Sequence, residues 1–104
     1  MTETVGLLEG VHLSELHRGT VIDLKTQNRR YRIEYLGEDR VRVCGHPQWC
    51  PRPIVARLEG SLQNSGAFEP DFVGRGMHLV FERSDDLPPV TTSEVRDISL
   101  VEPR

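Results

Sequence analysis

The stretch Arg29 to Cys44, "RRYRIEYLGEDRVRVC", decides how the rest of the chain is read. Tyr31, Ile33 and Tyr35 alternate with Arg30, Arg32 and Glu34, and beyond "GED" Val41 and Val43 alternate with Arg40, Arg42 and Cys44. Successive strand side chains point to opposite faces, so this alternation predicts two half-buried strands. Residues directly opposite in a hairpin share a face. Keeping Tyr35 and Val41 together on the apolar face therefore requires an odd-numbered loop in place of a two-residue turn. The same parity puts Arg30, Arg32, Glu34, Arg40, Arg42 and Cys44 outside, with Glu34 placed to pair with Arg42 across the strands.

Upstream, "GTVIDLKT" alternates again, with Ile22 and Leu24 facing one way and Val21, Asp23 and Lys25 the other. Residues 1–18 are mixed: Leu7, Leu8, Val11, Leu13 and Leu16 have weak helical spacing that Gly6 and Gly10 interrupt. They predict an arm with a short helical turn near Ser14 to His17, ahead of one domain over 19–104. The arm can pack on its own domain or pair with an edge strand of a second copy, which would give a homodimer. Downstream, a fourth strand is expected from Ile54 to Leu62, with Ile54, Ala56, Leu58 and Leu62 inward, and a fifth in "MHLVFE", with Met77, Leu79 and Phe81 inward and His78 outward. Between them, residues 61–76 hold polar residues, glycines and a proline around Phe68 and Phe72, a connection of the length that is often functional. In "VTTSEVRDISL" Val95 and Ile98 stand three apart, which breaks alternation, and Thr91 and Glu94 have capping-box spacing. One helical turn before a last short strand is the expectation, and the whole predicts an all-β chain folded as a small closed barrel of about five or six strands.

The segments "LHRGTVIDL" and "SEVRDI" resemble the opening and the closing turn and strand of SH3-like barrels. The chain also resembles small bacterial proteins of unknown function that carry "GRGM" and "TTS" segments. These likenesses imply an SH3-like fold and supply no activity. The acidic loop and paired aromatics with which some SH3 domains hold proline-rich peptides are not in the sequence, so that recognition is not implied.

At 104 residues with 37% hydrophobic content, the chain is long enough to bury a core without disulfides or metal. No apolar run reaches the roughly 18 residues of a membrane helix, and "MTETVGLLEG" does not read as an export signal, so a cytoplasmic setting with reduced thiols is expected. The formal charge of −3 gives no general attraction for nucleic acid, and any such binding has to be local. Twelve of the thirteen basic residues are Arg, spread from Arg18 to Arg104, a skew that codon bias explains.

Four groups of residues are candidates for function. Trp49, Phe68, Phe72 and Arg75 would form a contact surface for a protein partner around the loop 61–76, on the principle that recognition sits on loops carried by a rigid scaffold. Cys44, His46 and Cys50 in "VCGHPQWCPRP" could supply two thiolates and an imidazole to zinc, with His78 as the fourth ligand. Alternatively, Pro47, Pro51 and Pro53 stiffen this loop, Trp49 caps the barrel and the thiols serve as small hydrophobes or undergo redox chemistry. Arg30, Arg32, Arg40 and Arg42 could track a phosphate backbone, or could belong to a charge-paired outer face. Glycines around Arg75 suit an anion nest or a tight turn. Asp85 and Asp86 read as a solvated loop. No nucleophile elbow, dinucleotide fingerprint or zinc-protease helix is present, so a non-enzymatic module without a required cofactor is the expectation.

Overall fold

A computed structural model describes residues 4–5, 8–83 and 86–101. The strands are β1 (Thr4–Val5), β2 (Gly10–His12), β3 (Val21–Thr26), β4 (Arg30–Gly37), β5 (Arg40–Cys44), β6 (Ile54–Leu62), β7 (Phe68–Pro70), β8 (Phe72–Gly74), β9 (His78–Glu82), β10 (Val90–Thr91) and β11 (Val95–Val101). The fold is all-β, as the alternation predicts, and every ladder is antiparallel. Leu7 of the arm and Asp85 lie outside the described residues.

The hairpin that anchors the reading forms in the expected register, with Tyr35 opposite Val41, Glu34 opposite Arg42 and Ile33 opposite Val43. The connection is not the expected odd loop but a two-residue turn, Glu38 and Asp39 in left-handed backbone between paired Gly37 and Arg40, and a bulge between Tyr35 and Gly37 restores the parity that keeps Tyr35 and Val41 on one face. Tyr31, Ile33, Tyr35, Val41 and Val43 are buried, and they join Ile22, Leu24, Leu58, Leu79, Phe81, Ile98 and Leu100 in a single core.

Three further features differ from the sequence-based expectation. The sheet order β1-β11-β3-β4-β5-β6-β9-β10 has two ends, so the barrel is not closed by a continuous ladder. The arm spans part of the opening. Leu8 N–H donates to the Ile98 carbonyl at 2.9 Å, Arg75 N–H donates to the Glu9 carbonyl at 2.9 Å, and β2 pairs with β8. Val11 and Leu13 accordingly sit in the common core, and the short turn is a 3-10 turn at Leu13–Glu15.

The expected helical turn before the last strand is instead a β-bulge. Register shifts between Val95 and Asp97, so Val95 and Ile98 both face inward although they are three apart. Thr91 lies in β10, and Glu94 pairs with Arg96 at 3.4 Å and caps nothing. Buried Thr92 ties the corner down, its Oγ1 accepting the Leu79 N–H at 3.0 Å and donating to the Ser93 carbonyl at 2.8 Å.

A second bulge lies in β6. Leu58 pairs with Phe81 but Gly60 pairs with Val80, so one residue is skipped and the alternation reverses. Ser61 therefore faces inward, fully buried, and Leu62, expected inside, turns to the outer face half-buried. The buried hydroxyl is satisfied: Ser61 Oγ donates to the Phe72 carbonyl at 2.6 Å and accepts the Gly74 N–H at 3.2 Å, joining β6 to β8. A Cβ at Gly60 would run into the Glu69 carbonyl, so the close approach of β7 requires glycine there.

Candidate functional site

The segment 61–76 is ordered, not structureless. Its first residues finish β6, and the chain folds back as β7, turns at Asp71 and continues as β8. The fold-back is a compact hairpin in which Gln63 N–H donates to the Ala67 carbonyl at 2.7 Å, Gly66 N–H donates to the Gln63 carbonyl at 2.9 Å, and Gln63 Nε2 donates to Glu69 Oε1 at 2.8 Å. In register, Phe68 stands opposite Leu62 and Leu62 opposite His78; one step on, Pro70 stands opposite Gly60 and Gly60 opposite Val80. These two rows make a continuous outer face across β7, β6 and β9.

Phe68, Leu62, Pro70 and Val80 form the apolar part of that face. Phe68 is 44% exposed, one of three large hydrophobics so exposed among the described residues, the others being Val55 and Leu87. The side chain of His78 closes one edge, with Nδ1 3.0 Å from the Thr92 carbonyl and Nε2 2.8 Å from Asn64 Oδ1.

The other partner-surface candidates go elsewhere. Phe72 is half-buried and packs on His12 with ring centroids 4.8 Å apart. Arg75 reaches back to the arm, where its Nη1 lies 2.9 Å from Glu9 Oε1. Trp49 packs against Phe81 at 5.3 Å and Tyr31 at 6.0 Å, which is the barrel-capping role the sequence left open. Sequence reasoning found Phe68 but missed Leu62, Pro70 and Val80. Only the skipped residue at the β6 bulge puts Leu62 outside, and composition carries no signal for that.

The cysteine loop is a tight closed turn. Gly45 N–H donates to the Cys50 carbonyl and Cys50 N–H to the His46 carbonyl, both at 3.1 Å. The His46 Nδ1 atom accepts backbone N–H groups from Gln48 at 3.1 Å and Trp49 at 3.5 Å. Both cysteines are free thiols, but Cys44 lies half-buried on the outer face opposite Arg32 whereas Cys50 is fully buried in the core. Burial pushes the Cys50 thiol above its ordinary range, and the Tyr31 hydroxyl likewise. His78 has both ring nitrogens engaged on β9. Among the described residues no group of three His, Cys, Asp or Glu is placed to hold a metal ion. The proposed zinc set of Cys44, His46, Cys50 and His78 is therefore not assembled, because Cys50 faces the core and His78 is held in its own hydrogen bonds.

All four hairpin arginines are exposed on the outer face. Arg42 Nη1 is 2.9 Å from Glu34 Oε1, and Arg32 Nη1 is 3.9 Å from Asp23 Oδ1. Arg30 stands opposite Lys25, and Arg40 opposite Arg57. Half of the expected cationic face is thus charge-paired, which dilutes it as a track for a phosphate backbone.

A carboxyl pair forms where two turns meet over β6. Leu58 N–H donates to the Asp39 carbonyl at 2.8 Å and Asp71 N–H to the Glu59 carbonyl at 3.1 Å, which draws both left-handed turns to neighbouring residues of β6. A hydrogen bond that the protonated Asp39 carboxyl donates to the Asp71 carboxylate, then partial burial, holds the Asp39 carboxyl above its ordinary value. Among the described residues, no helix is long and apolar enough to cross a membrane. Comparison of the chain with protein families, curated proteins and solved structures yields no match.

Proposed function

We propose that this protein is a non-enzymatic interaction module of the cytoplasm that binds a protein partner through the outer face of β7, β6 and β9. The reading is carried by one observation: Phe68 stands 44% exposed on a hydrogen-bonded hairpin, in register with Leu62 and beside Pro70 and Val80. An apolar surface with a polar edge at His78 and Asn64 has the make-up of an interface core and rim. The hairpin that carries the ring is already hydrogen-bonded, so little backbone entropy is lost on association.

Burying a phenylalanine ring against a partner is worth about 1.5–3 kcal/mol, so Phe68→Ala should weaken partner binding by roughly 10- to 100-fold. The test is pull-down with wild type and Phe68→Ala, followed by affinity measurement on whatever protein is recovered, with thermal denaturation alongside. Loss of binding at unchanged melting temperature supports the reading. Unchanged affinity removes it, and so does a collapse of stability, because that would make Phe68 a packing residue. Recovery of a second copy of this chain through the same face would make the partner a homodimer mate.

A further inference from the structure

On the outer face of β3 to β6 the cross-strand neighbours are not uniform in charge. Asp23 faces Arg32 and Glu34 faces Arg42, opposite charges in direct register. At the far end of the same strands Arg40 faces Arg57, like against like, an arrangement that destabilises a sheet unless something offsets it. Glu82 stands opposite Arg57 on β9, but among the described residues neither Arg40 nor Arg57 has a carboxylate within 4.0 Å. Lys25 and Arg30 make a second like-charged pair, but the nearby arginines there are already engaged, Arg75 by Glu9 and Arg96 by Glu94.

Arg40 and Arg57 open onto a groove of about 460 Å³ that Glu38, Val55, Glu82 and Arg83 also line. Arg83 Nη2 donates to the Pro88 carbonyl at 3.1 Å, and its Nε is buried with no acceptor among the described residues. Val55, 43% exposed, adds an apolar wall. The groove has the volume of a small-molecule site.

We propose that this groove binds a phosphate monoester carried on a small apolar body. The facing guanidiniums of Arg40 and Arg57 present two forks of N–H donors, which match the several oxygens of a phosphate. The dianion removes the repulsion between the two strands, and the organic group lies on Val55. Three arginines against two glutamates leave a net charge of +1 on the lining, which the Asp39 carboxylate near Arg57 offsets further, so the site discriminates by donor geometry more than by field, and affinity is modest: for phenyl phosphate, a Kd on the order of 0.1–1 mM. This site is separate from the Phe68 face and does not depend on it.

The test is a titration of the full chain, followed by ¹H–¹⁵N NMR at constant ionic strength, with phenyl phosphate, inorganic phosphate, phenylacetate and a short oligothymidylate as probes. Phenyl phosphate should give saturable shifts at Arg40, Val55 and Arg57, and inorganic phosphate should bind at least threefold more weakly and leave Val55 unmoved. Arg40→Gln and Arg57→Gln should each weaken phenyl phosphate about tenfold with spectra otherwise unchanged, and Arg32→Gln, on the paired part of the same face, should not. Absence of saturable shifts overturns the site. An equal loss with Arg32→Gln reduces it to a general field, equal binding of phenylacetate removes the phosphate, and equal binding of inorganic phosphate removes the apolar body. Oligothymidylate binding tenfold more tightly than phenyl phosphate would replace the small ligand by a nucleic-acid strand.

Discussion

Ser61→Ala probes the feature on which the proposed binding face rests. If β6 skips a residue before Gly60, Ser61 points inward and its hydroxyl bridges the Phe72 carbonyl, at 2.6 Å, and the Gly74 N–H, at 3.2 Å. Alanine removes both bonds and leaves a donor and an acceptor facing a space too small for easy hydration. Each unsatisfied buried group costs about 1–3 kcal/mol, so a loss of about 2–4 kcal/mol is expected. At about 4–8 °C per kcal/mol for a domain of this size, the melting temperature should fall by roughly 10–30 °C. Leu62→Ala, on the half-exposed side, should cost less than about 1 kcal/mol. An unbroken strand would reverse the pair, with Ser61→Ala near neutral and Leu62→Ala costing about 2–5 kcal/mol as a core truncation. Urea denaturation of both variants with an unchanged m-value measures the two numbers directly. The reversed order would refute the bulge and, with it, the apolar face.

Other perturbations test separate parts of the structure. Trp49→Ala removes the ring packed on Tyr31 and Phe81 and should cost about 3 kcal/mol in chemical denaturation, with no specific effect on partner affinity. Because Asp39 is raised in the folded state, the native protein holds that proton more tightly than the unfolded chain does. Its favourable contribution is fully present below the ordinary value of 3.8 and is lost as pH rises through the folded value, with Glu59 adding to the shift and Arg57 opposing it. Asp39→Asn, which tolerates left-handed backbone, should therefore raise stability at pH 7 relative to pH 4 and steepen the acid limb of a stability–pH profile; an unchanged profile would contradict the carboxyl pair. A thiol reagent should label Cys44 rapidly in the native protein and Cys50 only on unfolding, since the latter is fully buried with its thiolate disfavoured. Two fast thiols would place Cys50 outside the core.

The hairpin 29–44 was legible because each of its strands keeps strict period-two alternation, and a single buried face then admits one register. Tyr31, Tyr35 and Val41 fall inside and Glu34 meets Arg42 for that reason. The Cys-His-Cys spacing was legible as a loop but not as chemistry. Whether two thiols and an imidazole converge depends on which side of the chain each side chain leaves, and Cys50 leaves into the core while Cys44 stays on the outer face of β5.

Local pattern by itself determined the all-β class, the inward tyrosines and the charge-paired outer face. Each of these follows from side-chain direction within one strand or one hairpin, which the order of residues specifies directly. The tertiary structure alone decided three things: that Val95 and Ile98 belong to a bulged strand and not a helical turn, that Ser61 replaces Leu62 in the core, and that Arg40 meets Arg57. A bulge adds one residue to one strand in answer to its neighbours across the sheet, and a cross-strand pair joins residues distant in sequence. Neither is encoded by the period of any single segment.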